Sequence, residues 1–178
     1  MTSNIVLSKT DYKVVGKRPV RHDGYDKVTG KAQYGADISP PGLQHGKVLR
    51  SPHAHARIVS IDTSKAEAHP DVTAVVTAQD LPRPGEEPFI MAGGMALNMK
   101  ETNDNILASD KVLYKGHAIA AVSATNVHAA EEALSLIDVQ YDVLPAVTDV
   151  EGAMKEGAPQ LHEAYKGNIA SQLRHELG

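Results

Sequence analysis

No cysteine occurs anywhere in the 178 residues. Disulfides, thiolate metal sites and cysteine-held iron–sulfur clusters are therefore excluded from this stretch of chain. Tryptophan is absent and phenylalanine occurs once, so aromatics make up only 4% and a core must come from Val, Ile, Leu and Ala. No apolar run is long enough to cross a bilayer, and Met1-Thr2-Ser3-Asn4-Ile5-Val6-Leu7-Ser8-Lys9 lacks the apolar centre of a signal peptide. A cytoplasmic location without a membrane partner is the expectation. A basic stripe interleaved with aromatics is also missing, and the net charge of −4 argues against a nucleic-acid surface. What is present, 42% hydrophobic and 22% charged residues, suits one globular domain, or one domain with the start of another.

The most patterned stretch is His45–Thr63. Lys47-Val48-Leu49-Arg50 is β-prone, Ser51-Pro52 interrupts it, and Ile58, Val59 and Ile61 restore a strand over 57–62. Thr63-Ser64 then offers oxygens to a short helix from Lys65 to about His69, which Pro70 stops before a strand over 71–77. A second unit repeats the order. It has a strand region over Val112–Ala124, then a helix capped by Thr125 or Asn126 with Val127, Ala130, Leu134 and Ile137 on one face. A strand through Val139, Tyr141 and Val143 follows, up to Pro145. The fold class is therefore α/β (α+β), two β-α-β-like units with helices against sheet. Residues 1–44 read as an extended arm with turns at 16–19, 22–24 and 27–30 and a short strand near Ala32–Tyr34. Residues 81–105 read as a long loop, 150–155 as a short helix, and 157–178 as a weakly patterned polar tail.

Unaided, these residues offer no catalytic, cofactor-binding or metal set. His53 and His55, two apart, would share a strand face with His45 near, but no acid or cysteine stands at a ligand-like spacing, so a surface or hydrogen-bonded pair is expected. Gly93-Gly94 fits no phosphate-loop pattern and reads as a loop tip. Gly116-His117 reads as a bulge or close backbone approach, and Glu131-Glu132 as a solvated helix face.

Several ordered blocks carry a resemblance. They are Arg21-x-Asp23-Gly24-x-x-Lys27-Val28-Thr29-Gly30-Lys31-Ala32-x-Tyr34-x-Ala36-Asp37, then Leu49-Arg50-Ser51-Pro52-His53-Ala54-His55-Ala56-Arg57-Ile58, and Val75-Val76-Thr77-Ala78-x-Asp80. Leu107-Ala108-x-Asp110-Lys111-Val112-x-Tyr114-x-Gly116-His117 and Ile137-x-Val139-x-Tyr141-x-x-Leu144-Pro145 complete them. Together they resemble the opening of the molybdopterin-binding subunit of the xanthine dehydrogenase and aldehyde oxidase family, and within it the bacterial 4-hydroxybenzoyl-CoA reductase-like group. The resemblance implies an α/β hammerhead over 45–150, preceded by an arm over 1–44. Residues 151–178 would be a linker into a molybdenum cofactor region.

By the same resemblance, the full subunit would carry a molybdenum-pterin cofactor and hydroxylate an aldehyde or N-heterocycle with water as oxygen source. (The hydroxybenzoyl-CoA branch removes a hydroxyl instead.) Iron–sulfur clusters and FAD would sit on partner domains or chains, so the implied partners are the cofactor-binding domains, an iron–sulfur subunit and a flavin subunit. The family's catalytic residues lie C-terminal to the hammerhead, which makes the 178-residue chain alone expected to be inactive. The resemblance places Met99, Lys100 and Glu101 at the rim of the substrate channel. A separately encoded hammerhead module and a free-standing small-molecule binding domain are the alternatives.

Overall fold

The computed structural model describes residues 12–82, 89–92 and 95–177. The chain divides into two compact units, Met1–Pro41 and Gly42–Gly178.

In the first unit none of residues 12–41 is buried. A five-residue helix, α1 (Gly24–Val28), stands where only turns were expected. Asp23 explains it. Its carboxylate holds Arg21 Nε at 2.6 Å and Lys27 Nζ at 2.8 Å, an i,i+4 pair across the helix start, and Lys27 foremost lowers its pKa. Ala32–Tyr34 is not a strand, as no strand among the described residues pairs with it. The Tyr34 N–H instead donates to Asp37 Oδ2 at 2.9 Å and opens a 3-10 turn over Gly35–Asp37.

The second unit holds β1 (His45–Arg50), β2 (Ala56–Asp62), α2 (Ser64–Glu67), β3 (Val72–Thr77), β4 (Phe89–Ala92), β5 (Met95–Asn98), α3 (Met99–Ile106), β6 (Lys111–Val112), β7 (Ala118–Ala124), α4 (Val127–Leu136), β8 (Asp138–Val143) and α5 (Val150–Ala153). Two antiparallel three-stranded sheets form, ordered β1-β7-β3 and β6-β2-β8. Both expected β-α-β units are present, yet neither pairs its own strands. The unit β2-α2-β3 leaves the second sheet and enters the first, while β7-α4-β8 crosses back. Each unit therefore completes its sheet only with a strand of the other, Val75 opposite Val122 and Ile61 opposite Val139.

The helices lie on the β1-β7-β3 sheet, with α4 across β1 and β7 and α2 beside it. Alanine makes this close approach possible: Ala66, Ala120 and Ala133 are fully buried with Val122 and Ile137. Each Val or Ile so buried contributes roughly 1.5–3 kcal/mol. A second cluster, Ala56, Ala108, Val112 and Ile119, fills the other side, and Ile61 and Val139 pack against both. The buried face of α4 runs through Ala129, Ala130 and Ala133, whereas Val127, expected on it, is 37% exposed in the first turn. Asn126 supplies the cap, its Oδ1 accepting the Ala129 N–H at 2.9 Å.

Two further expectations need correction. Val112–Ala124 is not one strand region, because Gly116 adopts φ +89° and turns the chain from the edge of one sheet into the centre of the other. The 81–105 stretch is not a plain loop either. Phe89 pairs with Asn98 and Ala92 with Met95, and an eight-residue helix follows. The expected loop tip Gly93-Gly94 lies outside the described residues, as does the opening Met1–Lys9.

Candidate functional site

Asn98 starts α3. Its side-chain oxygen accepts the N–H of Lys100 (3.0 Å) and of Glu101 (3.3 Å), while Thr102 Oγ1 donates to the Asn98 carbonyl at 2.8 Å. Asn103 Nδ2 ties the helix to the Pro82 carbonyl at 2.6 Å. The last turn is held from beneath by His117, which is fully buried. Its Nε2 lies 2.7 Å from the Asp104 carbonyl oxygen and its Nδ1 takes the Leu113 N–H at 3.2 Å, with the ring stacked on Tyr114. One neutral tautomer satisfies both contacts, and burial lowers the pKa of the ring. The role of His117 is to anchor a helix carbonyl.

Two clefts flank α3. One, of about 600 Å³, has Lys100, Glu101 and Asp104 on one side, Arg57 and Lys111 below, and the 161–164 segment opposite. The other, of about 700 Å³, lies towards Ile61, Thr77 and Leu81. Lys100 opens onto both, Glu101 onto the first, and Met99 lines neither. The three rim residues expected from the sequence thus sit together in one helical turn.

Their charges are partnered. Lys100 Nζ is 2.6 Å from Asp104 Oδ2, and that carboxylate raises its pKa; Ser109 Oγ donates to the other Asp104 oxygen. Glu101 accepts the Tyr165 hydroxyl at 2.6 Å and makes it harder to ionise. Lys111, with a side chain only 10% exposed, donates to the Leu161 carbonyl at 2.6 Å and to Glu163 at 2.7 Å, holding Glu163 below the usual carboxylate range. Asp104, Ser109, Lys111 and Tyr165 were not evident as site residues from sequence. Lys100 and Asp104 at i,i+4, and Asn98-x-x-Glu101 as a cap, were the available signals. Nothing local marks Lys111 or Tyr165, whose partners are about 50 to 65 residues away.

The histidine pair does not share a strand face, because 51–55 is a turn between β1 and β2. His53 packs T-shaped against Tyr141 with ring centroids 4.9 Å apart, while His55 is buried with Nδ1 2.7 Å from the Pro145 carbonyl. Glu131 and Glu132 are exposed as expected, paired with Lys47 and near His69. Among the described residues no group of three or more His, Asp or Glu could hold a metal ion, and the chain has no cysteine. Without cysteine, these residues cannot supply the thiolates of a cysteine-held iron–sulfur cluster.

Comparison with known proteins gives a consistent family. Residues 29–145 match the family model described as "Aldehyde oxidase and xanthine dehydrogenase, a/b hammerhead domain". The chain is 43% identical over 150 residues to a probable xanthine dehydrogenase subunit of Bacillus subtilis, covering 84% of this chain and 18% of that protein. Among solved structures, quinoline 2-oxidoreductase from Pseudomonas putida 86 superimposes with a TM-score of 0.72 and 34% identity, over 88% of this chain and 20% of its own. CO dehydrogenase from Oligotropha carboxidovorans gives 0.70 and 38%, over 85% and 18%. The chain thus spans about a fifth of the length of these relatives. The narrower placement beside the 4-hydroxybenzoyl-CoA reductase-like group does not follow from these matches.

Proposed function

Because the chain belongs to the aldehyde oxidase and xanthine dehydrogenase family, through its a/b hammerhead domain, we propose that it forms one wall of the substrate channel in a molybdenum-dependent oxidoreductase. We divide the chain into an arm over 1–44, the hammerhead over 45–150 and a linker over 151–178 that leads into the cofactor-binding region, with the hammerhead as the part that forms the wall. The observation that carries this reading is the family match across both interlocked β-α-β units. When bound by neighbouring domains, the molybdenum cofactor supplies the redox chemistry; iron–sulfur and flavin groups on partner domains or chains carry electrons away. This chain's own contribution is packing and selection at the channel mouth.

The first turn of α3 is the rim, with Lys100 and Glu101 presenting charge to whatever enters. Such a rim acts on binding and not on the chemical step, so its loss raises KM and leaves kcat. In the enzyme purified in its native assembly, Lys100→Ala and Glu101→Ala should each raise KM for the best-used aldehyde, N-heterocycle or aromatic thioester about fivefold, with kcat and molybdenum content unchanged. A KM within about twofold of wild type for both variants would remove α3 from the channel.

A further inference from the structure

Residues 157–168 form a loop that holds itself together. Gln160 Nε2 donates to the carbonyls of His162 (3.0 Å), Glu163 (3.2 Å) and Tyr165 (3.3 Å). Asn168 takes the Leu161 N–H on its side-chain oxygen at 2.9 Å and donates to the Pro159 carbonyl at 3.0 Å. Left-handed glycines stand at both ends, Gly157 at φ +78° and Gly167 at φ +66°, where the chain can redirect at little steric cost. The loop's attachments outside itself include Asn168 to the Ala153 carbonyl, Lys111 to Leu161 and Glu163, and Tyr165 to Glu101.

These attachments are unequal. Lys111 is nearly buried and holds two oxygens, so releasing it would leave an ammonium unpaired in the protein. The Tyr165–Glu101 bond is a single contact across the cleft, and both partners regain water when it breaks.

We propose that residues 157–168 open over the cleft beside α3 as one cooperative flap, the hydrogen bonds within the loop breaking together while Lys111 keeps it tethered, with the Tyr165–Glu101 hydrogen bond as the latch. Glu101 also faces the cleft, so a ligand offering an N–H or O–H donor competes with Tyr165 for the same carboxylate and unlatches the flap on entry. The identity of that ligand as substrate rests on the rim reading above; the motion does not.

Hydrogen exchange on the native assembly without ligand tests the motion. In Tyr165→Phe, the amides of Leu161, Tyr165 and Asn168 should exchange faster by one common factor of about ten, with β7 and α4 unchanged. Glu101→Leu should match it, and the double variant should exchange no faster than either single, because all three lack the same bond. Unchanged rates in Tyr165→Phe, unequal factors among the three amides, or an additive double variant would overturn the latch. Exchange is read independently of KM, so the flap and the rim can fail separately.

Discussion

His117 shows how one buried side chain can fix the position of a surface helix. It is fully buried, accepts the Leu113 N–H and donates to the Asp104 carbonyl in the last turn of α3. Protonation would destroy the acceptor, and burial already lowers the ring's pKa from its ordinary value of 6.5. The unfolded chain therefore takes up a proton at a pH where the folded chain resists it. Stability from this group is complete above about pH 6.5 and declines as the pH falls through the lowered folded value. The urea midpoint should drop between about pH 7.5 and about pH 5.5, and His117→Gln should flatten that slope; equal slopes in both proteins would refute the assignment. Gly116-His117 reads as a bulge or close backbone approach, yet the glycine answers to its φ of +89° with open space beside it, and the contact of His117 with Asp104 was hidden because the Pro and Gly residues of 81–105 outweigh the cap at Asn98.

Element by element, legibility followed local chemistry. The strands β1, β2, β3 and β8 and the helix α4 were visible because alternation, Pro70, Pro145 and the Asn126 cap are encoded within a few residues. The exact buried face of α4 was harder. Its buried residues are alanines, which carry little hydrophobic signal and permit close approach, while Leu134 and Leu136 pack against the same core. That closeness makes a prediction. Ala133→Leu adds bulk where Ala66, Ala120 and Val122 meet, and should cost about 1–3 kcal/mol in a chemical melt. Val127→Ala, at a position 37% exposed, should stay within about 0.5 kcal/mol. The 81–105 stretch reads as loop because its Pro and Gly residues outweigh the cap at Asn98, yet α3 is the element that places Lys100 and Glu101 beside the clefts.

At the scale of the whole molecule, the exchange of strands between units was beyond any local pattern, because it depends on which distant strand each one meets. β2 pairs with β8 and β3 with β7, so neither unit has a complete sheet by itself. Separate polypeptides of 42–82 and 99–150, which leave out the self-contained β4-β5 pair, should each lack β-sheet signal by circular dichroism and regain it on mixing. A stable sheet in either alone would contradict the interlock. The pairing has a further consequence during synthesis. β2 must wait for β8, about 80 residues later in the chain, and a ribosome adding roughly 5–20 residues per second takes some 4–16 s to supply it. For most of that interval β1, β2 and β3 have open edges, because β6 and β7, their other partners, come only about 50 to 60 residues after β2. The nascent chain is most exposed to wrong strand pairing before its last strand is made, and a pause in translation ahead of residue 138 would lengthen that window.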